Sequence, residues 1–276
     1  MLLLYAPRIT RADGPADWPM LGHDPGRTSY NADEKSLSPP LQGTWTFNTG
    51  CALTAPTVAG GTLYLGGGQV YAFDGASGGR KWSYGSFQQG NAPAISNGVA
   101  YVAGQGSVYA LSASGGALLW HYTPAGGEYI SGNVLAASGT VYAVGSAVAY
   151  ALDALTGKLM WSQGVPGNTA SAPAAVVVSG TLVYVSANGN TYALAASTGA
   201  IRWSHQGVGA LTVVGDVAYV VSSGQLFALD AMTGALLWHF DRTANLSAPI
   251  ADSGTVYVAN ADGVYALDTG TGKLRW

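Results

Sequence analysis

Cysteine is almost missing from this chain. Cys51 stands alone among 276 residues, which excludes an intrachain disulfide and any cysteine-built zinc cluster. Charge is scarce too: Asp, Glu, Lys and Arg make up 9% of the residues, with a formal net charge of −3 and a pI near 5.7. That balance leaves no basic surface to neutralise phosphates, so nucleic acid is not an expected partner. Hydrophobic residues reach 48%, yet no uninterrupted apolar run approaches the length of a membrane-spanning helix. Helix-length stretches free of glycine are also lacking, because 40 glycines punctuate the chain and β-branched residues and tyrosines fill the gaps.

What the chain does have is one grammar used repeatedly. Residues 151–161 (ALDALTGKLMW) return at 228–238 (ALDAMTGALLW) and 266–276 (ALDTGTGKLRW), with worn copies at 72–82, 110–120 and 193–203. Alternating apolar residues before the aspartate predict a strand, and the pattern then breaks into a turn. Asp74, Asp153, Asp230 and Asp268 are placed to accept hydrogen bonds from turn amides. Gly78, Gly157, Gly199, Gly234 and Gly272 occupy the position where a positive φ is needed. The tryptophan that follows lies on the next strand. At about 25 cal/mol/Å² an indole burying roughly 150 to 250 Å² offers on the order of 4 to 6 kcal/mol, an upper bound with an extended-chain reference. One such ring per repeat can hold neighbouring repeats together.

The tryptophans recur at Trp45, Trp82, Trp120, Trp161, Trp203, Trp238 and Trp276, with only Trp18 outside the series. A period near forty residues with about four short strands per period predicts an all-β propeller of four-stranded blades. In the cleanest copy the strands are expected at 248–251, 255–259, 263–267 and 273–276. An Ala-Pro pair opens the inner strand there and at Ala55-Pro56, Ala92-Pro93 and Ala172-Pro173, where proline gives up no ladder bond. The chain thus holds six sets of inner strands and seven tryptophan-bearing outer strands, the first at 44–47. If 44–47 close the ring, the blade they complete has its inner strands after residue 276, and a parent of seven or eight blades is expected. A six-blade ring with a spare strand is the alternative.

Two regions are expected: an irregular lead-in over 1–40, rich in proline, glycine and polar residues, and the propeller over 41–276. The apolar start at Met1 lacks a basic n-region and a full-length h-region. Either the start is misplaced or this is the remnant of an export signal.

The repeat A-x-D-x-x-T-G-x-x-x-W resembles the tryptophan-docking motif of the pyrroloquinoline quinone (PQQ) repeat family, the quinoprotein alcohol dehydrogenase-like propellers. Residues 17–31 (DWPMLGHDPGRTSYN) resemble the lead-in of many bacterial members. The likeness implies a fold; it does not settle function, since the family holds both quinoprotein dehydrogenases and the lipoprotein of the outer-membrane β-barrel assembly machinery. A dehydrogenase of this family would bring PQQ and calcium. Its alcohol-oxidising members have an adjacent cysteine pair, absent here, and the repeat aspartates are accounted for by their turns. Glu128, the one glutamate inside the propeller, has no Asn or Asp partner close in sequence. His121, His205 and His239 follow repeat tryptophans on separate outer strands, with His23 in the lead-in, so no metal site is expected. No catalytic or cofactor-binding residue is assigned.

Binding is the expected role. In a propeller the connections from outer to next inner strand and from second to third strand emerge on one face, free of the turn grammar. Loops on a rigid scaffold are where recognition resides. Tyr84, Phe87, Gln88, Tyr129, Asn168, Arg242 and Asn245 lie in those connections and are the candidates for contact with a protein partner or, as a weaker alternative, a glycan. By resemblance to the assembly lipoprotein, an exported, non-catalytic interaction scaffold is expected; the lipid-accepting cysteine of that lipoprotein has no counterpart near the N-terminus.

Overall fold

The computed structural model describes residues 20, 24, 27, 45–48, 52–87, 90–130, 132–166, 175–187, 189–207, 209–242, 245–252 and 254–276. Six antiparallel sheets follow one another along the chain, each a simple meander. Blade 1 takes β1 (Thr57–Ala59), β2 (Thr62–Leu65), β3 (Val70–Asp74) and β4 (Arg80–Tyr84). Blade 2 takes β5 (Ala94–Ser96), β6 (Val99–Gly104), β7 (Ser107–Ser112) and β8 (Leu118–Tyr122). Blade 3 takes β9 (Leu135–Ala137), β10 (Thr140–Val144), β11 (Val148–Asp153) and β12 (Leu159–Gly164). Blade 4 takes β13 (Ala175–Ser179), β14 (Leu182–Ala187), β15 (Asn190–Ala195) and β16 (Ile201–Gln206). Blade 5 takes β17 (Leu211–Val214), β18 (Val217–Ser222), β19 (Gln225–Asp230) and β20 (Leu236–Asp241). Blade 6 has β21 (Ile250–Ala251), β22 (Thr255–Asn260) and β23 (Gly263–Asp268).

The strands of blade 6 differ from the sequence expectation at both ends. Its inner strand starts after Pro249 instead of at Ala248, because proline has no N–H to donate to the ladder; β1 and β5 likewise start after Pro56 and Pro93. Its outer edge, expected at 273–276, is a single bridge between Leu267 and Leu274. Two further bonds support it, from Arg275 N to Ala266 O at 2.7 Å and from Ala266 N to Trp276 O at 3.0 Å. The outer strands of blades 1 to 5 run two or three residues past their tryptophan.

The middle strands are buried on both faces, as in β10 and β14, because each sheet packs between neighbours. Apolar clusters join blades 1 and 2, blades 2 to 4, blades 4 and 5, and blades 5 and 6. Among the described residues none of these clusters joins blade 6 to blade 1. Met20 of the lead-in is buried in the cluster of blades 2 to 4. Arg27 accepts a bond at its carbonyl from Thr212 Oγ1 of β17 at 3.0 Å, and burial lowers its guanidinium pKa to about 10. Among the described residues no helix is long and apolar enough to cross a membrane, a statement that leaves strands aside.

The turn between third and outer strands is built alike in four of the blades. Asp153 Oδ1 accepts from Thr156 N at 2.7 Å and Thr156 Oγ1 at 2.6 Å; Asp74, Asp230 and Asp268 repeat this with Ser77, Thr233 and Thr271. These bonds favour the ionised form, and all four carboxyls are held below the ordinary range. In Asp153 and Asp230 the hydroxyl of the turn threonine is the main cause; in Asp74 it is the Ser77 amide. The Arg275 guanidinium, 2.7 Å from Asp268 Oδ2, is the main cause that brings Asp268 to about 2.

Each turn is also a socket for the tryptophan of the preceding blade. Gly157 has φ of 70°, and a β-carbon there would lie 2.6 Å from the Trp120 ring. The Trp120 Nε1–H donates to Ala154 O at 3.0 Å. The same contact recurs from Trp82 to Ala113, Trp161 to Ala196, Trp203 to Ala231 and Trp238 to Thr269. Trp45, although residues 45–48 form no strand, docks identically on blade 1, with Nε1 3.0 Å from Gly75 O. Trp276 is 66% exposed.

Candidate functional site

Three structural layers decide which side chains are left over for function. In the first, the tryptophan is not alone. A tyrosine at the centre of every second strand packs beside it: Tyr64, Tyr101, Tyr142, Tyr184, Tyr219 and Tyr257 lie 5.8 to 6.2 Å from Trp82, Trp120, Trp161, Trp203, Trp238 and Trp276. Tyr64, Tyr101 and Tyr184 donate their hydroxyls to the same carbonyl that takes the indole N–H, on Ala113, Ala154 and Ala231. Burial, with a smaller contribution from a nearby turn carboxylate, pushes Tyr101 and Tyr184 up to about 12. These tyrosines were legible in the sequence as one per period, but alternation alone gave them no partner.

The second layer lies further along the outer strand. The residue two places past the tryptophan packs against an aromatic ring on the third strand of the next blade. Tyr84 meets Tyr109 at 6.3 Å, Tyr122 meets Tyr150 at 6.0 Å, His205 meets Phe227 at 5.1 Å and Phe240 meets Tyr265 at 5.7 Å. Above these pairs the loops gather on one end of the blades, as expected from propeller connectivity. The backbone ties them there: Phe87 N to Gly68 O, Val165 N to Ala147 O, Gly207 N to Gly189 O and Arg242 N to Gly224 O, at 2.7 to 3.1 Å.

The candidate residues of the loops therefore divide. Phe87 is buried, packed on Tyr109 at 5.2 Å, and its ring belongs to the interface of blades 1 and 2 instead of to the surface. Tyr84 is half-buried beside it. Tyr129 is exposed, its ring resting on Gly106, where a β-carbon would stand 2.7 Å away. Arg242 lies 4.3 Å over the Phe240 ring and 4.6 Å over Tyr265, a double cation–π contact that caps blades 5 and 6. Asn245 is exposed. Gln88 and Asn168 lie outside the described residues. Glu128 accepts from Ser146 Oγ at 3.0 Å. His121 stacks on Tyr109, and His239 pairs with Asp241 at 3.4 Å.

The third layer was not anticipated. In blades 1 to 5 the ladder between the third and outer strands slips by one residue just before the tryptophan. In blade 2, Leu111 faces Leu118 and Ala110 faces Trp120, so Leu119 is the extra residue of a β-bulge. The bulge turns the tryptophan inward while both residues before it stay outside. The bulge positions hold Lys81, Leu119, Met160, Arg202 and Leu237. Leu118 with Leu119, Leu159 with Met160 and Leu236 with Leu237 are consequently exposed apolar pairs on the outer rim. Simple alternation hides one of each pair; reading the same column across the repeats would have shown it.

Among the described residues no three His, Cys, Asp or Glu side chains converge on a point that could hold a metal. The repeat aspartates are bonded within their turns and Glu128 to Ser146. Among the described residues this donor set does not fit a calcium-supported quinone.

A family model described as the outer membrane protein assembly factor BamB matches residues 42–147, 104–214 and 145–276 in three overlapping registers. Among solved structures, BamB from Moraxella catarrhalis is 22% identical, with a TM-score of 0.72 over 84% of this chain and 78% of that one. A computationally designed protein, Ika8, is 20% identical with a TM-score of 0.69 over 81% of this chain and 73% of its own. A quinohemoprotein alcohol dehydrogenase from Pseudomonas putida HK5 is 17% identical with a TM-score of 0.69, over 96% of this chain and 59% of the enzyme. At these identities the likeness is one of fold. Comparison with curated protein sequences found no match.

Proposed function

Because the chain belongs to the PQQ-repeat β-propeller family, through a model that carries the BamB description, we propose that it is a non-catalytic protein-interaction scaffold, exported to the bacterial cell envelope. One observation carries the reading. Blades 2 and 3 are neighbours, and their outer edges present Leu118, Leu119, Leu159 and Met160 to solvent, with Leu155 on the blade 3 turn 86% exposed. Edge strands are ordinarily blunted by charge, as Lys81 and Arg202 do on blades 1 and 4. An apolar, unpaired edge running across two adjacent blades is a surface suited to a protein partner. Tyr129, in the connection between the same two blades, is exposed as well.

The test is the double variant Leu119→Glu, Met160→Glu. Both side chains are exposed, so stability should change by no more than about 0.5 kcal/mol. Retention of an envelope partner by the parent protein, lost in the variant, is the expected outcome. A bound-quinone absorption band on incubation with PQQ and calcium, together with alcohol- or sugar-dependent dye reduction, would replace the scaffold by a dehydrogenase.

A further inference from the structure

The interfaces between successive blades are closed at the loop end by a side chain that follows the outer strand. Phe87 does this between blades 1 and 2, buried against Tyr109. Pro124 and Val165 are buried after the outer strands of blades 2 and 3. Arg242 lies across Phe240 and Tyr265 between blades 5 and 6. The position four residues past the tryptophan, held by Pro124, Val165 and Arg242 elsewhere, is Gly207 between blades 4 and 5. The residue that faces the next blade there is also smaller, His205 where three other interfaces have Tyr84, Tyr122 and Phe240. Gly207 cannot lean over to compensate, since its N–H is bonded to Gly189 O at 2.9 Å and its carbonyl takes Thr191 Oγ1 at 2.9 Å.

The result is a cavity of about 530 Å³ whose walls include His205, Gln206, Gly207, Ser222, Gln225 and Phe227. That volume falls in the range of small-molecule sites, roughly 300 to 1,000 Å³. Among the described residues that line it there is no Asp, Glu, Lys or Arg. What lines it is two hydroxyls, of Ser222 and Ser223, two carboxamides, glycine backbone and two aromatic planes held against each other at 5.1 Å. Gln225 spends its Nε2 on Asp241 Oδ1 at 2.7 Å, which leaves its carbonyl oxygen to accept. His205 Nδ1 is buried with no hydrogen-bond partner among the described residues. Uncharged donors and acceptors beside a flat apolar face match a molecule with many hydroxyls and an apolar C–H face. We propose that this cavity binds a neutral carbohydrate of one or two rings.

The experiment uses the whole chain with glucose, N-acetylglucosamine and maltose as probes, and gluconate as the acidic counterpart, read by saturation-transfer NMR. Millimolar binding of at least one neutral sugar is expected, with gluconate markedly weaker. His205→Tyr rebuilds the aromatic pair of the neighbouring interfaces and narrows the cavity beside Phe227. It should keep or raise the melting temperature while weakening the sugar at least about tenfold, the loss expected when a site's shape and a polar partner are both removed. Gln206→Ala, at an exposed side chain, should weaken binding with no change in melting temperature. Absence of contact with every neutral sugar overturns the proposal, as does equal binding of glucose and gluconate, or sugar binding untouched in the His205→Tyr protein. Occupation by an extended peptide instead of a sugar overturns it too. The outcome is independent of the rim variant, which leaves this cavity unaltered.

Discussion

A tryptophan in this protein is worth what the next turn makes of it. Trp203 is buried over Gly234 and bonded to Ala231 O at 2.9 Å, whereas Leu237, just before the next tryptophan of the series, is exposed. Trp203→Ala should therefore cost about 3 to 5 kcal/mol by opening a gap between blades, and Leu237→Ala no more than about 0.5 kcal/mol. Denaturant unfolding of the two variants checks the contrast; equal losses would remove the docking role. Tyr184 shares the Ala231 carbonyl at 3.0 Å with that indole. Tyr184→Phe keeps the ring and should cost about 0.5 to 1.5 kcal/mol in the same assay, the net worth of one hydrogen bond.

At the scale of the element, the turn between third and outer strands is an acid-sensitive clasp. Asp268 is held at about 2 by Arg275 and Thr271, against roughly 3.9 for an unfolded aspartate. A depressed carboxyl contributes stability that is complete above about pH 4 and lost as pH falls through its folded value near 2. Asp268→Asn should flatten the acid limb of stability between those values, measured as melting temperature against pH, with a loss relative to the parent at neutral pH that vanishes as pH falls to about 2. The turn itself could be read from the repeat, because aspartate, threonine and glycine act within five residues of one another. The bulge beside it could not. Alternation predicts which face a regular strand buries, but an extra residue at Leu119 or Met160 resets the face, and the sheet, not the local sequence, pays for that slip in lost ladder bonds. Placing Phe87 on the surface failed for a related reason: a loop position says nothing of the Tyr109 ring that waits beneath it on the next blade.

Over the whole molecule, stability is a chain of nearest-neighbour contacts between sheets. Blade 3 is packed on both faces, within the cluster that spans blades 2 to 4. Blade 6 is packed only on blade 5 among the described residues. Native-state hydrogen exchange should accordingly show greater protection at Val141 and Tyr142 in β10 than at Val256 and Tyr257 in β22. Equal protection in the two strands would mean that the sheets open as one unit.

Periodicity alone established the sheet number, the turn chemistry and the tryptophan as the inter-blade wedge, because each of these repeats every forty residues or so and is made by residues close in sequence. The lead-in contact of Met20, the shared carbonyl under Tyr184 and Trp203, the apolar rim and the cavity beside Gly207 were decided only by tertiary structure. Each of them depends on which blade lies next to which and on the size of a side chain facing another far along the sequence. A single sequence records the side chains and leaves their neighbours unwritten; the packing of sheet on sheet supplies them.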